Sequence, residues 1–300
     1  LYTLMNNYFC VLPFYGVEIG HNFSKNIYCC RLSPSADINK VQQSMFDQQR
    51  ALSCSTCWKL EDLGAESKRQ IANETYKESL AQTERAISTA VIPVGNVCNL
   101  YCITCQPDAS TSWLKKYQHM YPDRPQTSGT VLTDIKSSDI RGIDKLKHIE
   151  FIGGETLRSR SLWEYLATLD KKKIFSLQTN GTVELTQKQV ELLNSFENFN
   201  ICVSIDGYGK IFEYMRQPAK WDKLCQNIKQ YIKYFGINRL STYVTISNLN
   251  ILYIDDIVFN LFKLLPSKIN LNLVHYPPEF AHNNLSKHIG KAVEKNNRVF

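Results

Sequence analysis

The sequence contains no run of eighteen apolar residues, and its opening, LYTLMNNYFC, lacks the charged segment and long apolar stretch of an export signal. Neither a membrane span nor an export signal is therefore expected, and the chain reads as soluble and cytoplasmic. It begins at Leu1 rather than Met, which suggests a product longer than the sequence given. The six histidines, His21, His119, His148, His275, His282 and His288, have no metal-ligand spacing, and no Ser/His/Asp set for nucleophilic catalysis is visible. Internal repeats and low-complexity segments are missing too. The 16 Tyr, 14 Phe and 4 Trp form no stripe on which the bases of a single strand would stack, so nucleic acid is not indicated.

Cysteine, by contrast, is plentiful: ten in 300 residues. In a small secreted domain that number would suggest disulfides, but here the cysteines stand at metal-ligand spacings in a large chain, and a cytosolic setting keeps thiols reduced. At 43% hydrophobic content the chain can bury one large α/β domain with a smaller appendage. The net charge of +7 is uneven. Residues 1–90 carry nine Lys+Arg against nine Asp+Glu, and residues 91–300 carry 26 against 19. A basic second part suits an anionic cofactor or a nucleic acid, and it equally suits a solvated lysine-rich surface such as Lys171-Lys172-Lys173.

From about Ala90, short β-branched runs alternate with amphipathic helical stretches. TAVIPVGN precedes a helix near STSWLKKYQHMY, KHIEFIGG precedes SLWEYLATLDKK, and IFSLQTNG precedes TQKQVELLNSF. FNICVSIDG then precedes WDKLCQNIKQYIKYFG, STYVTISN precedes YIDDIVFNLFKLL, and KINLNLVHY closes the series. Six strands alternating with helices predict parallel pairing with right-handed crossovers, in an open partial (βα)6 barrel of the α/β class. Chemistry in such folds gathers at the carboxyl ends of the strands. The predicted organisation is an N-terminal cysteine-rich region over 1–89, the barrel over 90–278, and an incomplete C-terminal tail over 279–300. In the first region, YFCVLPFYGVEI and NIYCCRL read as extended, and INKVQQSMFDQQRAL and ESKRQIANETYKESLAQ as helical. That region has little apolar material and is expected to lean on the barrel. YPDRPQTSGT reads as an exposed loop.

CNLYCITC, residues 98–105, directly follows the first barrel strand. Three thiolates there, Cys98, Cys102 and Cys105, can hold three irons of a 4Fe-4S cluster and leave the fourth open to a small molecule. A structural zinc site would instead want four closed ligands. This C-x3-C-x2-C run resembles the signature of the radical S-adenosylmethionine (SAM) superfamily, and the resemblance extends over residues 90–276 because the companion motifs follow in order. In FIGGET, Gly153 and Gly154 remove side chains so that backbone can approach a ligand, and Glu155 supplies a carboxylate. The resemblance implies that this turn binds the amino group of the SAM methionine. It likewise implies SAM contacts for Asn180 in QTNGT, for Ser204 and Asp206 in VSIDGYG, and for Arg216 in FEYMRQPAKW. Thr104 stands where many members place an aromatic residue beside the adenine.

The implied reaction is reductive cleavage of SAM at the cluster to methionine and a 5'-deoxyadenosyl radical, which abstracts hydrogen from a substrate. A flavodoxin- or ferredoxin-type donor would supply the electron. Cys10, Cys54, Cys57 and one of the adjacent pair Cys29 and Cys30 form a four-cysteine set, and the resemblance to radical SAM proteins with a twitch domain, a short relative of SPASM, selects Cys30. It implies an auxiliary 4Fe-4S cluster, with zinc as the alternative. Cys202 and Cys225 read as core residues. Three functions stay open: a radical SAM enzyme modifying a peptide or protein side chain, one acting on a nucleotide, sugar or nucleic acid, and a non-catalytic iron-sulfur or zinc protein.

Overall fold

The structure, a computed structural model, describes residues 8–19, 25–27, 37–64, 66–75, 89–123, 146–274 and 277–281. Its strands lie in one sheet in the order β2-β1-β3-β4-β5-β6-β7-β8, of which β3 to β8 are the six parallel strands of an α/β partial barrel. In chain order the strands are β1 (Gly16–Ile19), β2 (Lys25–Ile27), β3 (Thr89–Pro93), β4 (His148–Ile152), β5 (Ile174–Thr179), β6 (Asn198–Ser204), β7 (Leu240–Ile246) and β8 (Ile269–Leu273). The helices are α1 (Leu12–Tyr15), α2 (Ile38–Phe46), α3 (Ser55–Asp62), α4 (Lys68–Thr75), α5 (Thr111–Met120), α6 (Arg160–Thr168), α7 (Gln187–Asn194), α8 (Gly209–Met215), α9 (Trp221–Phe235) and α10 (Ile254–Leu264). None is long and apolar enough to cross a membrane, among the described residues.

Two compact units divide the chain: residues 1–93 with 138–150, and residues 94–137 with 151–300. Thr89, Ala90 and Val91 pair in parallel with Gly16, Val17 and Glu18 of β1.

In the first unit the segment expected to be extended from Tyr8 is interrupted by α1, whose Pro13 lies in the first turn, where a missing N–H costs nothing. The strand resumes as β1 and turns back antiparallel through β2, with Val17 opposite Ile27. The helix expected over 38–52 stops at Phe46, because Asp47 ends it and Gln48 adopts a left-handed φ of 57°. Its N-terminus is capped by Asp37, which accepts from Asn39 N at 3.0 Å. Helix α3 was not legible in the sequence, where CSTC reads as a ligand pair. Its buried Cys57 and Trp58 face the unit's core, and Trp58 Nε1 donates to Ala51 O at 3.2 Å. Of the helix expected over 66–82, residues 68–75 form α4 and residues 76–82 lie outside the described ones. So do Cys29 and Cys30, the tail from 282 onward, and most of YPDRPQTSGT.

Side chains from α4 hold this unit together. Arg69, buried, reaches Glu61 with Nε at 3.0 Å and Nη2 at 2.6 Å, and donates from Nη1 to Phe9 O at 2.6 Å. One turn later, Asn73 donates to the same Phe9 carbonyl at 2.8 Å and accepts from Val11 N at 2.8 Å. The i, i+4 spacing thus clamps the peptide on both sides of Cys10.

In the second unit β5, β6, β7 and β8 pair in parallel, with Leu177 opposite Ile201, Val203 opposite Thr242, and Val244 opposite Leu271. Helix α9 buries Leu224, Asn227, Ile228, Tyr231 and Phe235, a stripe of helical period. Cys225 lies beside that stripe and is half-buried rather than a core residue, whereas Cys202 in β6 is buried as expected. The turn after β5 is tied to α9, since Asn227 Nδ2 donates to Gly181 O at 2.9 Å and the Tyr231 hydroxyl donates to Val183 O.

Burial works against the ionised Glu61 carboxyl, but hydrogen bonds from Arg69 and Ser67 hold it below its ordinary value of 4.5. Stability from this group is therefore fully present above pH 4.5 and is lost as the pH falls through the lower folded value. Arg69→Met should cost about 3 kcal/mol in urea unfolding, because it strands a buried carboxylate, and Glu61→Leu in the same chain should recover most of that loss. The double variant should also lose less stability in acid than the wild type.

Candidate functional site

Most motif residues of the second unit lie at or just beyond the carboxyl end of a strand; Arg216 instead caps helix α8. Beyond β3 the backbone Val94–Val97 runs beside the turn that follows β4: Val94 N donates to Ile152 O at 2.8 Å, Gly154 N to Gly95 O at 2.9 Å and Glu155 N to Val97 O at 2.8 Å. The two glycines make this approach possible. Gly153 has φ +143°, and a Cβ there would sit 2.5 Å from Gly95 O; one on Gly154 would sit 2.6 Å from Val97 O. The backbone that comes close is thus the chain's own. On its other side Gly153 is exposed and Gly154 half-buried.

The cysteine loop is braced by the start of α5, a role sequence reasoning missed. Thr111 Oγ1 accepts from Cys98 N at 3.1 Å, and Ser112 Oγ donates to Cys98 O at 2.7 Å. Ser110, which also caps α5, donates to Leu100 O at 2.6 Å, and Trp113 Nε1 donates to Cys102 O at 2.9 Å. The signal was the S-T-S run before an amphipathic helix, a familiar cap whose spare hydroxyls can serve a neighbouring loop. From the other side, Tyr101 N donates to Gln217 O at 2.7 Å and Ile103 N to Met215 O at 2.9 Å.

Cys98, Cys102, Thr104 and Cys105 are all half-buried, and the three thiols are free of disulfides. Burial pushes the Cys98 and Cys105 thiols up and drives Cys102 to about 12; the charge of Glu155 raises Cys98 further, neighbouring cysteine charges raise Cys102 and Cys105, and Arg216 pulls all three down. A bound cation would favour the ionised form of these thiols. No group of three or more His, Cys, Asp or Glu side chains is drawn together at metal-ligand distance among the described residues. The donor chemistry nonetheless fits a thiophilic centre held at three points, with the protein supplying no fourth thiol on this loop. In the first unit Cys10, Cys54 and Cys57 are buried, and Cys30 lies outside the described residues.

Glu155 is almost wholly buried, and its carboxylate accepts from Leu157 N at 3.1 Å, Thr179 Oγ1 at 2.6 Å and Asn180 N at 2.7 Å. Burial raises its pKa, while these three donors and the charge of Arg216 oppose the rise. Asn180 is equally engaged. It donates to Asn99 Oδ1 at 3.0 Å and accepts from Thr182 N at 2.9 Å, and Asn99 in turn donates to Thr182 Oγ1 at 2.8 Å. Ser204 accepts from Gln178 Nε2 at 3.4 Å. Asp206 accepts from Thr245 N at 2.7 Å, and its other oxygen lies 2.8 Å from Arg216 Nε. That contact is a buried ion pair. The fully buried Asn250 donates to both Asp206 O and Thr245 O at 2.9 Å. Thr179 and Asn250 went unremarked in the sequence, although both stand in polar runs that follow strands.

The structure thus gathers Gly153, Gly154, Glu155, Asn180, Ser204, Asp206 and Arg216 on the turns of one unit with the three cysteines. It also partners most of their polar atoms within the protein.

No family model matches the chain, and no curated protein does. Solved structures that match include native anSMEcpe with bound AdoMet, at 16% identity and TM-score 0.42, over 65% of this chain and 55% of that one. Streptococcus suis SuiB bound to precursor peptide SuiA matches at 14% and 0.37, over 70% and 50%. TYW1 with a lysine-pyruvate adduct bound matches at 17% and 0.37, over 64% of each chain. The chain spans about half the length of the first two. Likenesses this low leave the reaction to be read from the chain's own residues.

Gly154→Ala should force the FIGGET turn away from Asn96 and Val97 and destabilise the unit by about 1 to 3 kcal/mol. Alkylation of Cys98 in the metal-free protein should speed up in parallel, as the loop loses its neighbour. An alkylation rate equal to that of wild type would mean the turn does not position the cysteine.

Proposed function

We propose that the chain is a radical SAM enzyme. Cys98, Cys102 and Cys105 would hold a 4Fe-4S cluster, and the exposed Gly153 with Gly154 would offer backbone to the SAM methionine. The observation that carries this reading is the joining of Val94–Val97, the segment that leads directly into C-x3-C-x2-C, to FIGGET by three backbone hydrogen bonds, which brings the start of the three-thiol loop next to a glycine turn. When bound, the cluster and SAM would supply reductive cleavage to a 5'-deoxyadenosyl radical and hydrogen abstraction.

The chain's own residues do the rest. Glu155 keeps the Thr179–Asn180 turn in register with FIGGET and has acceptor capacity left on Oε2 for the ammonium of SAM. Asn180, Ser204, Asp206 and Arg216 are the candidates for contacts to its ribose and methionine carboxylate, and Thr104 would lie near its adenine. Cys10, Cys30, Cys54 and Cys57 would hold the auxiliary centre, 4Fe-4S or zinc. The substrate is a peptide or protein side chain, with a nucleotide, sugar or nucleic acid as the alternative. A flavodoxin- or ferredoxin-type protein would donate the electron in the cytoplasm.

A second reading, a non-catalytic iron-sulfur or zinc protein, draws support from one observation: Glu155, Asn180 and Asp206 already have protein partners, as purely structural polar residues do. Anaerobic reconstitution separates the two. With dithionite and SAM the enzyme should yield 5'-deoxyadenosine and methionine, and the Cys98/Cys102/Cys105→Ala variant should yield neither. Iron should fall from about eight to about four per chain if both centres are 4Fe-4S clusters. Iron uptake without SAM cleavage would favour the non-catalytic reading.

A further inference from the structure

The strands of the second unit have two faces of opposite character. Toward the helices they are apolar: Phe199 of β6 meets Phe235 of α9 ring to ring at 5.4 Å, and a Cβ at Gly181 would sit 2.7 Å from Val203 Cγ1 and 2.5 Å from Leu224 Cδ1 of α9. The opposite face is polar, and side chains bond across it, Gln178 Nε2 to Ser204 Oγ at 3.4 Å and Ser241 Oγ to Asn200 Oδ1 at 2.6 Å. Within β5 to β8 no residue on this face is charged. Asparagine is depleted in strands, yet β6 places Asn198 and Asn200, and β8 places Asn270 and Asn272, at alternate positions on it. Strands that depart from propensity twice over, on one face only, mark a functional surface rather than a packing one.

Register relates this surface to the cofactor candidates. Ser204 is opposite Tyr243, and Tyr243 is opposite Asn270, so Asn270 stands on the row of Ser204 two strands further on, about 9.6 Å away. Asn272 lies two residues nearer the carboxyl end, beside Thr245. Asn270 Nδ2 donates to Thr242 O at 3.1 Å, which fixes the amide and leaves its Oδ1 an acceptor with no partner among the described residues. Resting on the radical SAM reading, in which Ser204 contacts SAM, we infer that β8 carries the substrate-selecting subsite: Asn270 and Asn272 take an uncharged, extended peptide segment. Two observations favour a peptide. Residues 270 and 272 are about 6.6 Å apart along the strand, which is the repeat of same-facing peptide groups in an extended chain. A phosphate would find no cation on this face of β5 to β8, and Lys268, on the same alternation, is exposed and precedes β8. Asn270 Oδ1 accepts a backbone N–H of the peptide.

The experiment is equilibrium dialysis of the reconstituted, SAM-loaded enzyme against three probes, read by mass spectrometry: random hexapeptides acetylated and amidated at their ends, maltohexaose, and a mixture of ribonucleoside 5'-monophosphates. The wild type should bind peptides and neither of the other probes. Asn270→Ala should weaken peptide binding about tenfold, as expected for one well-placed hydrogen bond in a half-buried site, and by more than it weakens SAM binding. Asn270→Asp should turn the bound pool toward peptides rich in Lys and Arg, a switch that a merely structural role would not produce. Lys268→Gln should bind peptides as the wild type does. Binding of maltohexaose or nucleotides in place of peptides overturns the inference. So does binding of no probe, an unchanged peptide pool in both Asn270 variants, or an equal fall in peptide and SAM binding. If Asn270→Ala cannot be folded, the wild-type preference among probes and the Asn270→Asp pool decide. A wild type that yields no 5'-deoxyadenosine with dithionite and SAM would instead refute the radical SAM reading itself.

Discussion

The candidate site depends on the backbone pairing between Val94–Val97 and Ile152–Glu155. Three N–H···O bonds of 2.8 to 2.9 Å carry the parallel ladder past the formal ends of β3 and β4, into segments that would otherwise be free loops. In this turn a Cβ at either glycine would meet the neighbouring backbone, at 2.5 Å from Gly95 O for Gly153 and 2.6 Å from Val97 O for Gly154. The pairing puts Cys98 and Glu155 in register. Glu155 then grips Thr179 and Asn180, Asn180 grips Asn99, and Asn99 returns the connection to the cysteine loop one residue after Cys98. The contacts close on themselves, so rigidity at the cysteines comes from a ring of hydrogen bonds and not from local propensity.

Electrostatics explain why the ring is built around few charges. Glu155, Asp206 and Arg216 are all buried, and they share the region with three thiols whose ionisation burial opposes. Each carboxylate is stabilised by backbone N–H groups: Leu157 and Asn180 for Glu155, and Thr245 for Asp206. Such dipoles stabilise charge without adding a counter-ion. Loading a metal centre here would release protons and tie its affinity to pH.

The first unit solves a different problem. It has a small core, and its cysteines are held by side chains that reach backbone. Arg69 and Asn73, four residues apart on α4, grip the peptides on either side of Cys10, and Trp58, next to Cys57, lies between the guanidinium groups of Arg50 and Arg69 at 5.3 and 4.5 Å. A buried bidentate ion pair is a costly way to build a core, and its geometric precision is what distinguishes it from packed aliphatic side chains.

What the sequence determined by itself was whatever depends on period and spacing. The alternation of β-branched runs with amphipathic stretches fixed six strands and the helices between them, because each pattern has its own repeat of two or 3.6 residues. C-x3-C-x2-C and FIGGET were legible because their spacing is local, and their placement after strands followed from chain order. Only the tertiary structure decided who partners whom. That Thr111 and Ser112 brace Cys98, that Met215 and Gln217 hold the backbone on either side of Cys102, and that Asn250 supports Asp206 all join residues 13 to more than 110 positions apart. It also ended α2 at Phe46 and formed α3 from a polar run, where tertiary burial of Cys57 and Trp58 outweighed weak propensity. Periodicity reports which face of an element is buried, but a hydrogen bond between distant polar groups leaves no periodic trace, so it exists only once the chain has folded.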